Sequence, residues 1–229
     1  SGPCSLRVRF FDALDFAGNP QTAQPIIPPE GVYQDGCNRY KGHNMTRPMF
    51  GFVGIGVDDA PGITPTTPHR VTGVATANNL ATPARGFRAY ITKVSTDQLW
   101  STSAALGGMS FGQRGVLAIV FHYKGAPRSG VTIRRSGSPI PNDDFYFTDT
   151  GITRTTVSGG IPGTQSSTGA NGTGLVINAD TPIAHDGIGG EPGTPGQCVW
   201  PSNLGASIPN VVFVQIKEAE LATGGAACP

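Results

Sequence analysis

The 229-residue sequence predicts an all-β fold built as two tandem β-sandwich units, and three observations carry that expectation. Apolar residues recur at every second position rather than every third or fourth, which is the period of a strand. The 33 glycines and 20 prolines supply turn residues for roughly a quarter of the chain. Hydrophobic residues still make up 38% and come in short bursts between those turns, the pattern of a loop-rich folded protein and not of a disordered one.

The first strand is predicted at 6–10, where Leu6, Val8 and Phe10 alternate with Arg7 and Arg9. Further strands are expected at 49–57, 86–94, 115–123, 130–134, 144–148, 173–178 and 210–218, each bounded by Gly, Pro, Asn or Asp. Helical pattern is confined to 97–106 and 216–222. The first stretch is rich in Ser and Thr, which compete for backbone hydrogen bonds, so a turn or two of helix is expected. The second continues a β-branched run and reads as strand.

Internal similarity sets the expected organisation. Leu6 to Phe11 leads to Gly18-Asn19-Pro20 and then Pro25-Ile26-Ile27; Leu117 to His122 leads to Gly125-Ala126-Pro127 and then Gly130-Val131-Thr132-Ile133. Each half later carries a turn before an apolar strand: Thr76-Ala77-Asn78-Asn79 before Phe87 to Ile91, and Thr168 to Thr173 before Leu175-Val176-Ile177. The expected units are 1–107 and 108–229, Ig-like sandwiches with long Gly/Pro-rich loops, joined near Gly107-Gly108. Over 114–178 the pattern of strand, Gly-x-Pro, Gly-Val-Thr-Ile and Asn-Gly turn resembles the carboxypeptidase-regulatory-like (transthyretin-like) sandwich of bacterial surface proteins. It departs from that family's usual ending, with Gly169 in place of an Asp and Leu175 in place of an aromatic residue. The resemblance implies a non-catalytic module for surface display, spacing or adhesion, and supplies no catalytic residues to carry over.

Charged residues are 14% and the net charge is +1, with arginines scattered as singles and pairs. Phosphate-backbone binding needs a clustered basic stripe, so no nucleic-acid partner is expected. No apolar run reaches the roughly 18 residues of a membrane-spanning helix. Cys4, Cys37, Cys198 and Cys228 are even in number and too widely spaced for a metal clip, which points to two disulfides in an oxidising compartment. Cys4 with Cys37 and Cys198 with Cys228 would close one terminal unit each, and Cys4 with Cys228 would instead tie the ends together. Ser1-Gly2-Pro3-Cys4 fits a mature chain after signal removal, or a trimmed one. A secreted or cell-surface location is expected.

The chemistry that remains is sparse. His43, His69, His122 and His185 are far apart in sequence, so no metal site is expected from spacing, and His122 reads as a satisfied sheet residue. Gly108-Met109-Ser110-Phe111-Gly112 matches the nucleophile-elbow spacing of a serine hydrolase, but a Gly-Gly pair precedes it and a β run follows, where the elbow needs strand then helix. Asp58-Asp59, Asp143-Asp144 and Asp12 with Asp15 could offer oxygen ligands to Ca²⁺ at strand ends. Tyr33, Tyr40, Trp100 and Trp200 lie in loop-like polar segments and could build a carbohydrate platform. Asn44-Met45-Thr46 and Asn171-Gly172-Thr173 are glycosylation sequons in a host that uses them. The function expected is a non-catalytic structural or adhesive protein of the cell exterior that binds protein partners or itself. The alternatives are a carbohydrate-binding module and a hydrolase on Ser110.

Overall fold

The computed structural model describes residues 6–12, 15–16, 19, 22–26, 32–34, 40–42, 53–60, 68–69, 71–76, 91–102, 114–140, 143–149, 151, 154–159, 166–177, 183–189, 198–207 and 209–219. For 32–34, 40–42, 53, 71 and 74–76 it describes the backbone path only. Among the described residues the protein is mostly β, as the two-residue period predicts, with a short helix at Val94–Ser101.

The larger sheet holds β1 (Leu6–Asp12), β4 (Val53–Asp59), β5 (Val71–Thr76), β15 (Val211–Glu218), β6 (Val116–Tyr123), β12 (Thr173–Val176), β10 (Asp144–Phe147) and β11 (Val157–Gly159), side by side in that order, with β7 (Ala126–Pro127) on β6. The smaller runs β14 (Cys198–Gly205), β13 (Ile183–Gly189), β8 (Val131–Arg135) and β9 (Ser138–Pro139). β2 (Val32–Gln34) and β3 (Tyr40–Gly42) form a separate antiparallel pair. β15 lies parallel to both neighbours, Val211 opposite Val71 on β5 and Val212 opposite Val116 on β6. Strands from before and after residue 107 therefore share one sheet.

Burial explains why β6 and β15 are central. Val116 to Phe121 is buried residue by residue, and Val211 to Gln215 likewise. A strand covered on both faces reads as a continuous apolar run and loses the alternation of a half-exposed one. Leu117, Ile119 and Phe121 face the smaller sheet and pack with Val131, Ile133, Trp200 and Phe213. Val116 and Ala118 face the other way, into a cluster with Phe145, Phe147, Leu175, Val212 and Val214. Each such side chain contributes about 1.5–3 kcal/mol by leaving water.

The second cluster is capped by α1 (Val94–Ser101), whose Trp100 packs on Phe147 at 5.4 Å between ring centroids. Its indole N–H donates to the Arg154 carbonyl at 2.7 Å. The strand expected at 86–94 does not hold over its described part. Ile91 and Thr92 are in no strand, Lys93 makes an isolated bridge to His69, and helix begins at Val94. Docking of the Trp100 ring outweighs the β preference of Val94, and Asp97 in the first turn suits the positive end of the helix. Residues 49–52, 86–90 and 178 of the expected strands lie outside the described residues.

β1 uses both faces. Leu6, Val8 and Phe10 pack against Ile55 and Val57 of β4. On the opposite face Arg7 and Arg9 share the Asp58 carboxylate, and Phe11 stacks on Phe16 at 4.5 Å. β13 and β14 were not expected as strands. β13 needs Gly187, where a Cβ would collide with the Phe121 ring, and β14 contains Pro201, tolerated because β14 ends its sheet.

Candidate functional site

The inner face of the smaller sheet changes character along its length. Val131, Ile133 and Trp200 are apolar, but Arg135, His185 and Asn203 form a row across β8, β13 and β14, paired residue to residue. Directly paired antiparallel residues share a face. From the facing sheet Lys217 reaches into this row, 1% exposed and two positions along β15 from Gln215. Lys217 Nζ donates to the carbonyls of His185 at 2.8 Å and Pro201 at 2.9 Å, and to Asn203 Oδ1 at 2.8 Å. One side chain thus ties β13, β14 and β15 across the interior.

The sequence places Lys217 there by strand period: Val211, Phe213, Gln215 and Lys217 point inward in turn along β15. Burial pushes its pKa down from 10.5 to about 7, with Asp186 pulling weakly the other way. The shift favours the free amine far more than in an exposed lysine.

His185 is fully buried, and neither ring nitrogen has a hydrogen-bond partner. Burial lowers its pKa from 6.5 to about 4; Arg135 and Lys217 add to the shift. The Ile183 backbone and Asp186 oppose it. The ring is a neutral imidazole at neutral pH, able to accept one proton and donate another. Arg135 Nη2 lies 3.8 Å from Asp143 Oδ2 without a hydrogen bond. Gln215 donates to the Leu204 carbonyl, and its own side-chain oxygen has no partner. On the outer face Arg134 grips Asp186, Nε to Oδ1 at 2.8 Å. The row combines the buried amine of Lys217 and imidazole of His185 with the partly exposed carboxamide of Asn203 and guanidinium of Arg135, a set suited to acyl or proton transfer. Buried polar groups without partners are uncommon, which singles it out.

A second constellation sits at the start of the larger sheet. His69 Nδ1 lies 2.9 Å from Asp59 Oδ1, and the His69 backbone N–H donates to Asp59 Oδ2 at 2.9 Å. The aspartate therefore orients the imidazole.

The residues expected to bind sugar are distributed otherwise. Trp100 and Trp200 are 5% and 2% exposed, in two different clusters. Trp200 Nε1 donates to the His122 carbonyl at 2.7 Å and its ring meets Phe121 edge-on at 5.6 Å. Neither indole offers a face to solvent. The side chains of Tyr33 and Tyr40, like Cys4, Cys37, Cys228, His43, Asn44 and Ser110, lie outside the described residues. Cys198 is buried beside Trp200 and is not a free thiol. The expected Ca²⁺ carboxylates are turned to protein partners: Asp58 to Arg7 and Arg9, Asp59 to His69, Asp144 to the Tyr146 hydroxyl at 2.7 Å, and Asp12 to the Asp15 backbone N–H. Among the described residues no three metal-ligating side chains converge. Asn171 of the second sequon is fully buried, its side-chain oxygen accepting from the Thr173 N–H at 2.9 Å. Among the described residues no helix is long and apolar enough to cross a membrane.

Sequence reasoning assigned His185 no role beyond its distance from the other histidines, and it did not single out Lys217. The available signal was the lysine at an inward position of an otherwise apolar strand. Comparison with protein-family models, with curated proteins and with solved structures finds no match.

Proposed function

We propose that the chain is a non-catalytic structural or adhesive protein of the cell exterior, acting through protein contacts that include contacts with its own copies. The single observation that carries this proposal is the use of Lys217 as an internal tie between β13, β14 and β15. A polar side chain that joins three strands across the interior fixes how the two sheets meet, which suits a protein that presents one fixed surface to its partners. Low charge and abundant small residues favour close β packing, and β14, which ends its sheet and carries the half-exposed Leu204, is suited to strand addition. A disulfide from Cys198 to Cys4, Cys37 or Cys228, as an oxidising compartment would allow, belongs to the same proposal. So does the arrangement of 1–107 and 108–229 as two sandwich units, the second of the transthyretin-like kind.

Size-exclusion chromatography with electron microscopy over a concentration series tests self-association: assembly into oligomers or filaments is expected, and a strictly monomeric species at high concentration refutes it. A non-reducing peptide mass map tests the disulfides.

One observation favours a second function, hydrolysis at Ser110. His69 oriented by Asp59 is the base-and-orienter half of a triad. Labelling by a fluorophosphonate that is lost in both Ser110→Ala and His69→Gln would establish it; no labelling of the wild type removes it.

A further inference from the structure

The row brings the buried amine of Lys217 into contact with the carboxamide of the partly buried Asn203. Lys217 Nζ is 2.8 Å from Asn203 Oδ1. The lysine is held at that point by two further bonds, to the carbonyls of His185 and Pro201, so its position does not depend on the asparagine alone. Cross-strand pairing with His185 in turn fixes Asn203 on the inner face.

We propose that Lys217 and Asn203 join covalently, by a self-catalysed isopeptide bond between Nζ and Cγ that links β15 of the larger sheet to β14 of the smaller one. The Nζ lone pair attacks Asn203 Cγ and opens the carbonyl to a tetrahedral intermediate. One proton passes from Nζ to Nδ2, the Cγ–Nδ2 bond breaks, and ammonia leaves as the carbonyl re-forms. One N–C bond is made and one broken, no electron is transferred to or from another molecule, and no co-reactant is needed.

Three features of the site favour this step. The attacking group must be the free amine, and burial shifts Lys217 toward that form. A group must carry the proton, and His185, adjacent in the row, is a neutral imidazole with both nitrogens unengaged. The reacting atoms must meet without an entropic search, and strand register supplies that: holding both partners on rigid elements replaces a bimolecular encounter by a local one. The remaining charged groups around the row are Arg135 with Asp143, and Asp186 with Arg134.

The test is the intact mass of the full chain after reduction and denaturation. A species lighter than the sequence mass by one ammonia is expected, with a branched tryptic peptide joining the segments that carry Asn203 and Lys217. Lys217→Arg and Asn203→Ala should each restore the full mass of their own sequences. Asn203→Asp, if it reacts, loses water instead. A wild-type protein that keeps its full mass after prolonged incubation at neutral pH overturns the proposal, whether or not the variants fold. So does an ammonia loss that maps elsewhere, such as a succinimide at Asn171-Gly172. Neither outcome touches the self-association test, which reads assembly and not mass.

Discussion

Lowering the pH from about 7.5 to about 4.5 is expected to weaken the fold by about 2–3 kcal/mol through His185 alone. The unfolded chain takes up this proton near pH 6.5, whereas the folded protein keeps the buried ring neutral until about pH 4. Between those values the unfolded state binds more protons, so stability rises with pH across the window and is lost as pH falls through it. Burial is the main cause, Arg135 and Lys217 act in the same direction, and Asp186 opposes them. Asp144 titrates with the opposite sign: burial raises its carboxyl pKa, so the folded state binds its proton first on acidification. The contribution of His185 is therefore read as a difference. Urea denaturation of the wild type and of His185→Leu, each at a series of pH values, should give curves that diverge below about pH 6.5, the variant losing less stability by about 2–3 kcal/mol at about pH 4.5. Parallel curves would mean that the ring is solvated or hydrogen-bonded in the folded protein, and would refute both its burial and its role as an unengaged base.

Three other perturbations probe the frame around the row. Gly187→Ala places a methyl group inside the Phe121 ring contact and should cost about 1–3 kcal/mol, read as a lowered thermal midpoint. Trp200→Phe removes the indole N–H that the His122 carbonyl accepts, but that oxygen keeps the Ala219 N–H at 2.9 Å, so the lost hydrogen bond should cost only about 1 kcal/mol in denaturant titrations. Asp58→Asn leaves Arg7 and Arg9 without their shared carboxylate, but Arg7 is 37% exposed, so the loss should stay near or below about 1 kcal/mol and shrink further as salt is added.

How much of this was legible in the sequence follows from where each signal originates. Strand period is a local property, and β1, β4, β6, β8, β10, β12 and β15 all fall within or across stretches that it marks. β13 and β14 carry no such signal. Ile183-Ala184-His185-Asp186-Gly187-Ile188-Gly189 is polar and glycine-rich because the facing Phe121 and Trp200 rings fill the space its side chains would take, and that depends on a partner more than sixty positions away. The same blindness hid the site. A histidine next to an aspartate reads as a solvated turn, and only pairing with Arg135 and Asn203 turns its ring inward. Trp100 and Trp200 read as surface aromatics for a related reason: their neighbours in sequence are polar, while their neighbours in space are Phe147 and Phe121.

A sandwich interior gains nothing in stability from an ammonium that hydrophobic residues of similar volume could replace, since burying a charge costs several kcal/mol and three neutral acceptors only partly offset it. Lys217 nonetheless occupies a position that the period of β15 assigns to an apolar side chain, after Val211 and Phe213. An amide bond to Asn203 resolves this tension. The titratable amine becomes a neutral N–H needing one acceptor, which the His185 or Pro201 carbonyl already supplies. The desolvation cost is then met once, before the bond forms, and disappears from the mature fold. Unfolding would also have to proceed with β14 and β15 still joined, so the loop between Asn203 and Lys217 would stay closed in the unfolded chain. Closing a loop of that length stabilises by about 3 kcal/mol in the chain-entropy account worked out for disulfides. That gain should appear as a difference in stability between wild type and Lys217→Met only in molecules that have lost ammonia. Separating the two mass species before denaturation would therefore distinguish a lysine that ties strands by hydrogen bonds from one that ties them by a bond.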